Sequence, residues 1–259
     1  MVYNTLFIGK VLIHLDKIDS TNKYATQLLK NEQVREGTII STAYQLEGKG
    51  QRGNTWLSDE GQNITLSIVL YPNFLMAYQQ FLLSQSVALG VQSFATEILG
   101  EGVCVKWPND IYYRDRKITG ILIENSLSGK NIASSIVGIG INVNQIHFPS
   151  SLQSATSFHQ ITGRHYDLLQ LIQQLAQHIE ARYLQLRAMR FDEIRHDYLT
   201  KLYRFEEWHS FEDVLTNQLF VGKIVAVQKD GKLVVEVKQK VANAENKRRV
   251  FDLKEVRFI

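Results

Sequence analysis

Two short runs hold the residues best suited to chemistry. In the first, Gly48-Lys49-Gly50-Gln51-Arg52-Gly53, glycines alternate with cationic and amide side chains, and Trp56 follows. Glycines let a backbone approach a ligand closely and leave its N–H groups unobstructed. Lys49 and Arg52 add positive charge, and Trp56 adds a flat apolar surface. Such a loop could wrap a phosphate and cover an aromatic base; a solvated polar loop fits the same residues. The spacing also satisfies G-x-G-x-x-G, a fingerprint that needs a strand before it and a helix directly after it. Here residues 54–62 are unsuited to a helix and another strand follows, which excludes a dinucleotide-binding unit.

The second run is Lys106-Trp107-Pro108-Asn109-Asp110, with Lys117 and Gly120 in the strand beyond it. Pro108 fixes φ and restricts Trp107, so the turn is rigid. Asn109 can donate and accept, and Asp110 can bind Mg²⁺ or a ribose hydroxyl. A β-hairpin would bring Lys117 back to the turn. Two lysines, a carboxylate and an amide at neighbouring strand ends could hold a nucleoside triphosphate; a capped hairpin with a surface salt bridge is the alternative.

Other chemistries find little support. The seven histidines are scattered, with no His-Glu-x-x-His pattern, and there is no Gly-x-Ser-x-Gly elbow. A single cysteine, Cys104, rules out an internal disulfide and a Cys-based zinc site; between Val103 and Val105 it reads as a buried, unreactive thiol. The formal net charge of +3 over 259 residues is too small to argue for a nucleic-acid partner. Lys247-Arg248-Arg249 reads as a solvated turn face. No stretch approaches the roughly 20 apolar residues of a membrane span, and residues 1–7 lack the basic and apolar runs of a secretion signal. The cytoplasm is therefore the expected compartment, and the Asn63-Ile64-Thr65 sequon is not expected to carry a glycan.

Elements must position these runs. Strands are predicted over residues 11–16, 38–45, 64–71, 103–106, 111–113, 117–124 and 132–142. Helices are predicted from Asp19 or Ser20 to about Lys30, and over 78–99, 166–189 and 191–202, with Gly100 as a stop. Beyond these, 220–228 and 232–239 are β-rich and joined by Lys229-Asp230-Gly231, whose Asp-Gly step signals a hairpin, and 250–259 supplies one or two short strands. Helices and strands do not alternate as βαβα. The fold class is thus α+β: a central mixed or mostly antiparallel sheet flanked by helices, followed by a small β-barrel-like unit. The boundary is placed near Arg204, giving 1–204 and 205–259.

The order of several segments then resembles the biotin protein ligase family. They are Asp19-Ser20-Thr21-Asn22, Gln45, the loop from Gly48 to Trp56, the Lys106 to Asp110 turn, residues 116–124, and Gly138-Ile139-Gly140-Ile141-Asn142-Val143-Asn144, with Ala155-Thr156-Ser157 after them. The resemblance covers about residues 11–160 and, more loosely, the C-terminal β-unit. It implies a class II synthetase-like catalytic body with an SH3-like C-terminal barrel. The implied activity uses ATP and Mg²⁺ to convert biotin to biotinyl-5′-AMP with release of pyrophosphate. Biotin then passes to a lysine of a biotin carboxyl carrier domain. A lipoate or octanoyl ligase shares this logic but usually carries an Arg-Arg-x-Ser-Gly-Gly-Gly type stretch absent here; a non-catalytic biotin sensor would not need a cation such as Lys117.

The resemblance also implies residue roles. Ser20, Thr21, Asn22 and Gln45 flank the biotin pocket and serve its ureido ring; Gly48, Lys49 and Gly50 line biotin and close over the adenylate. Lys117, with Gly120 nearby, contacts the biotin carboxylate and α-phosphate, and Lys106 assists. Gln51, Arg52, Asn54, Trp56, Asn109, Asp110 and Asn142 belong to the nucleotide side, with Asp110 the metal candidate. Trp107 could be core, and Gly138 and Gly140 could merely allow close strand packing. Family members commonly show Gly-Arg-Gly-Arg-x-Gly-Arg-x-Trp. Lys49, Gln51 and Asn54 replace those arginines here, which removes bidentate phosphate forks and predicts weaker retention of the adenylate. Many relatives begin with a DNA-binding winged helix for which residues 1–18 leave no room. No DNA binding and no membrane partner are expected, and a homodimer is left open.

Overall fold

The computed structural model describes residues 4–152, 154–239 and 246–259. Seven strands form the main sheet: β1 (Leu12–Ile18), β2 (Ile39–Gln45), β3 (Ile64–Leu70), β4 (Val103–Lys106), β5 (Asp110–Tyr113), β6 (Arg116–Ser128) and β7 (Asn131–Ile141). Their spatial order is β1-β2-β3-β7-β6-β5-β4. Only the β1–β2 pair is parallel, so the sheet is mixed, as expected.

Two layers cover the sheet. The helices α2 (Gln80–Leu99) and α4 (Leu168–Arg187) pack together over one face, with α5 (Phe191–Thr200) beside α2. Their core takes in Leu66, Ile68, Leu70, Val87, Val91, Phe94, Leu175 and Ile179, all essentially inaccessible. Gly90 allows the close approach of α2 to α4, since a Cβ there would lie 2.9 Å from Ile179 Cα. The opposite face is mostly open. There α1 (Thr21–Asn31) sits on a small cluster of Ala25, Ile40, Val69 and Ile136, which leaves the rest of that face for a site. The short helix α3 (Phe158–Thr162), capped by Ser157, was not anticipated; five residues carry too little periodicity to register.

A second, five-stranded antiparallel sheet follows α5, in the order β11-β10-β9-β8-β12. Its members are β8 (Trp208–Asp213), β9 (Gln218–Val227), β10 (Leu233–Val237), β11 (Lys247–Phe251) and β12 (Val256–Phe258). The small C-terminal β-unit is thus present as expected, and no pairing closes its sheet into a barrel among the described residues. β8 was missed because Trp208-His209-Ser210-Phe211-Glu212-Asp213 offers little apolar content; only Phe211 and Asp213 are buried. Lys247-Arg248-Arg249 lies in strand β11 rather than a turn, and Arg249 pairs with the buried Asp213. That hydrogen bond is the main reason the Asp213 carboxyl sits below its ordinary pKa. Part of residues 232–239, read as one strand, ends at Val237.

The segment before β1 is fixed by a buried acid. The Glu180 carboxylate, on α4, accepts the backbone N–H groups of Leu6 (2.5 Å), Phe7 (2.8 Å) and Ile8 (2.9 Å). Glu180 is 5% exposed, so water cannot replace the acceptor. Glu180→Leu leaves three amides unpaired and is expected to lower the unfolding free energy by about 2–5 kcal/mol in urea denaturation. A loss below about 0.5 kcal/mol, the level of an ordinary surface change, would show that the segment is held by something else.

Candidate active site

The site lies on the open face of the main sheet, where three strands present an unusual row. β3, β7 and β6 align Thr65 with Gly140 and Gly120, and Ser67 with Gly138 and Leu122. Gly140 and Gly120 form a floor with no side chains, and the Trp56 indole lies on it. A Cβ on Gly140 would fall 2.3 Å from the ring, and one on Gly120 2.9 Å. Gly138 lies under Asn22, whose Oδ1 would be 2.4 Å from a Cβ there. These glycines therefore make room for side chains above the sheet, not for strand packing.

Around this floor the structure gathers Ser20, Thr21, Asn22, Gln45, Lys49, Gly50, Gln51, Asn54, Trp56, Asp110, Lys117 and Gly120, together with Thr65 and Gly138. Thr21 and Asn22 begin α1 and are buried. Gln45 ends β2, and its Oε1 accepts the Thr21 N–H at 2.8 Å, joining helix to strand. Lys117 is the second residue of β6, and its Nζ donates to Asp110 Oδ2 at 2.6 Å, so the hairpin does return the lysine to the turn. The Lys117 backbone is clasped by the following segment: its N–H donates to the Ser154 carbonyl and its carbonyl accepts from Thr156.

The glycine loop folds over one side. Residues 51–53 form a single 3₁₀ turn, and the loop pinches shut through Lys49 and Thr55 and through the Trp56 N–H donating to the Gly48 carbonyl. Gly48 is needed for that pinch, because a Cβ would meet the Trp56 carbonyl at 2.3 Å. Gln51 Nε2 donates to Asn109 Oδ1 at 3.1 Å, tying the loop to the turn.

Other expected residues stand elsewhere. Asn109 is buried behind the site, its Nδ2 donating to the Ile121 carbonyl, and Asn142 uses its Nδ2 on the Thr156 carbonyl. Neither lines the cavity. Lys106 is turned away: its ammonium lies 4.7 Å from the Tyr112 ring centre and 5.1 Å from that of Phe258, and it donates to Tyr112 Oη at 3.2 Å. Burial, its largest influence, lowers its pKa. Arg52 lies in the 3₁₀ turn. Trp107 is core, and its Nε1 donates to the Gly231 carbonyl at 2.8 Å. Cys104 is half-buried rather than buried, and burial pushes its thiol up to about 12, in keeping with an unreactive group. Asn63 is buried, so the sequon cannot take a glycan in this fold.

Sequence reasoning missed Thr65, Ser67 and Glu124. The first two are polar residues two apart in an otherwise apolar strand, Ile-Thr-Leu-Ser-Ile-Val-Leu, which marks one of its faces as polar. Glu124 donates nothing to the pattern and becomes visible only through Asn22, whose Nδ2 lies 2.6 Å from its carboxylate.

The open cavity measures about 140 Å³, less than the roughly 300–1,000 Å³ of small-molecule sites. The Trp56 indole occupies part of the glycine floor. Its buried Nε1–H has no hydrogen-bond partner among the described residues, a cost of about 1–3 kcal/mol that favours ring movement when a ligand arrives. Among the described residues no group of three metal-ligating side chains converges, and no helix is long and apolar enough to cross a membrane.

Comparison with known proteins places this geometry. The biotin/lipoate A/B protein ligase family pattern matches residues 15–142. The bifunctional ligase/repressor BirA of Bacillus subtilis is 33% identical over 239 residues, covering 91% of this chain and 72% of that protein. A biotin–[acetyl-CoA-carboxylase] ligase of Paracoccus denitrificans is 33% identical over 133 residues, half of this chain and 53% of that protein. The structure of an Aquifex aeolicus biotin protein ligase in complex with biotin and ATP superposes with a TM-score of 0.72 at 28% identity, over 93% of this chain and all of that one. The fold and the match together define the class. The chain belongs to the biotin/lipoate A/B protein ligase family, and these relatives lie on its biotin protein ligase side.

Gly140→Ala sets a methyl group where the indole lies. The ring is expected to leave the floor, with a stability change of about 1–3 kcal/mol and a red-shifted emission that Trp56→Phe abolishes. An unshifted spectrum would mean that the ring does not rest there.

Proposed function

We propose that this chain is an ATP-dependent biotin protein ligase. Biotin's carboxylate oxygen attacks the α-phosphorus, the bond to the β-phosphate breaks, and pyrophosphate leaves. The ε-amine of a carrier-domain lysine then attacks the acyl carbon, AMP leaves, and the amine loses a proton. The observation that carries this reading is the side-chain-free floor of Gly120 and Gly140, with a buried polar network at one end and the Lys117–Asp110 pair at the other. A flat bicyclic ligand fits such a floor, its ring polar atoms meeting Thr21 and Gln45 and its acid meeting Lys117.

The roles follow from the chemistry. Ser20, Thr21 and Gln45 recognise the ureido ring, and Asn22 supports them. Lys117 meets charge that builds up on the acyl and phosphate oxygens, where a fixed cation stabilises the transition state more than the ground state. Asp110 holds Lys117 in place until substrate arrives. Gly48, Lys49 and Gly50, with Gln51, Arg52 and Asn54, form a flap that shelters the water-sensitive anhydride, and Trp56 swings from the floor to cover the nucleotide.

Asp110 is the one carboxylate lining the cavity among the described residues. That donor set suits Mg²⁺ carried mainly by the triphosphate, since Mg²⁺ usually keeps waters and takes one or two carboxylates beside phosphates. When bound it would neutralise phosphate charge. We further take residues 1–204 as the catalytic unit and 205–259 as a small β-unit that braces it.

Mass measurement after incubation with ATP, Mg²⁺, biotin and an apo carrier domain should show one biotin added. Lipoate in place of biotin should give none; the reverse preference would assign the other branch of the family. Lys117→Ala is expected to slow biotin-dependent pyrophosphate release by roughly 10²–10³-fold, and a near-normal rate would remove Lys117 from the mechanism.

A further inference from the structure

We propose that Glu124, outside the ligand pocket, is a positioning residue that sets the direction of the hydrogen bonds at the ureido end of the site. The inference rests on the biotin reading above. It starts from a carboxylate that can only accept. Glu124 Oε2 lies 2.6 Å from the side-chain amide of Asn22, so Asn22 must turn its Nδ2 that way, and the Leu122 carbonyl at 3.5 Å also accepts. Asn22 Oδ1 then faces Ser67 Oγ at 2.6 Å, and the Ser67 hydroxyl has to donate to it.

One consequence runs on to the ligand. Ser67 Oγ is also 2.7 Å from Thr21 Oγ1. A hydroxyl holds one proton, and that of Ser67 is on Asn22, so Thr21 must donate to Ser67. Gln45 Oε1, which accepts the Thr21 backbone N–H, also lies 3.2 Å from Thr21 Oγ1, but with its single proton on Ser67 the Thr21 hydroxyl does not donate there. Thr21 Oγ1 therefore turns a lone pair toward the cavity. A cyclic urea presents N–H groups, and an acceptor is what one of them needs. The chain Thr21→Ser67→Asn22→Glu124 spans three strands, because Asn22 lies flat over Gly138 between Ser67 on β3 and Glu124 on β6.

Burial makes the order persistent. Thr21, Asn22 and Ser67 are at most 4% exposed, so water does not scramble their protons, whereas Glu124 is exposed and can be replaced without disturbing the core. A cation at position 124 reverses the relay. Asn22 flips to offer Oδ1 to it, its Nδ2 donates to Ser67, and Ser67 donates to Thr21, so one Thr21 lone pair is taken from the ligand N–H while the Thr21 proton turns to Gln45 Oε1 or into the cavity.

The test compares Glu124→Lys, Glu124→Gln, Ser67→Ala and the double variant Ser67→Ala/Glu124→Lys, each checked by thermal melting. E124K is expected to raise the KM for biotin roughly tenfold while leaving the KM for ATP unchanged. E124Q keeps an acceptor for Asn22 and should restore the KM to within about threefold of the unmodified chain. With the relay cut by S67A, adding E124K should change the KM by no more than about twofold. Equal losses from E124K with and without Ser67 would overturn the proposal, as would a KM for biotin unmoved by E124K. If S67A does not fold, the contrast between E124K and E124Q decides in the same way. Failure of the unmodified chain to bind biotin in calorimetry would instead bring down the reading of the site itself.

Discussion

A ligand can lie flat on a β-sheet only where the strands beneath it carry no Cβ, and this steric condition governs the whole open face. Gly120 and Gly140 pair across β6 and β7, and Gly138 follows two residues earlier on β7. Any other residue at Gly140 would occupy the space of the indole, and any other at Gly138 that of the Asn22 amide. The rest of the structure answers to this opening. α1 packs mainly on the β2–β3–β7 part of the face, the long polar loop crosses the uncovered part, and the bulky helices are confined to the far side.

Charge plays a narrower role than the sequence suggests. The Lys117–Asp110 pair is about 30% exposed on each side, so it adds little to stability. Its value is orientation. The ammonium is aimed along the floor by a carboxylate on the neighbouring strand, while the lysine's backbone is clamped by residues 154–156. Lys106, one strand further out, shows the alternative fate of a cation in an aromatic setting. It settles against Tyr112 and Phe258 and joins the two sheets.

What could be read beforehand follows from which forces act locally. Hairpin geometry is local, so the return of Lys117 to Asp110 was legible, as were most strands and the long helices. Trp56 was expected near the nucleotide and rests on the glycine floor, because its position depends on two glycines more than sixty residues away. Lys106 was expected at the phosphates and is drawn aside by Phe258, next to the chain's last residue. Neither partnership leaves a trace in the spacing around the residue. β8 escaped notice for a similar reason: Asp213 reads as a loop residue until Arg249 supplies its counter-charge. Glu124 was invisible as well, since its meaning lies in an asparagine a hundred residues earlier.

The contact between the Trp107 indole and the Gly231 carbonyl has a mechanical consequence. Gly231 sits at φ +95°, and a Cβ there would lie 2.7 Å from Phe81, so the hairpin tip is wedged against α2 while it grips the tryptophan. On the other side, Tyr198 Oη donates to the Pro108 carbonyl at 2.6 Å. The turn that carries Asp110 is thus held from both flanks by parts of the chain that contribute no atom to the cavity. Force applied to the small sheet reaches Asp110, the partner of Lys117, through stiff rings and one proline. A cut made just after α5 would discard one jaw of this vice, so the compact outer sheet helps to set the shape of a cavity it never touches.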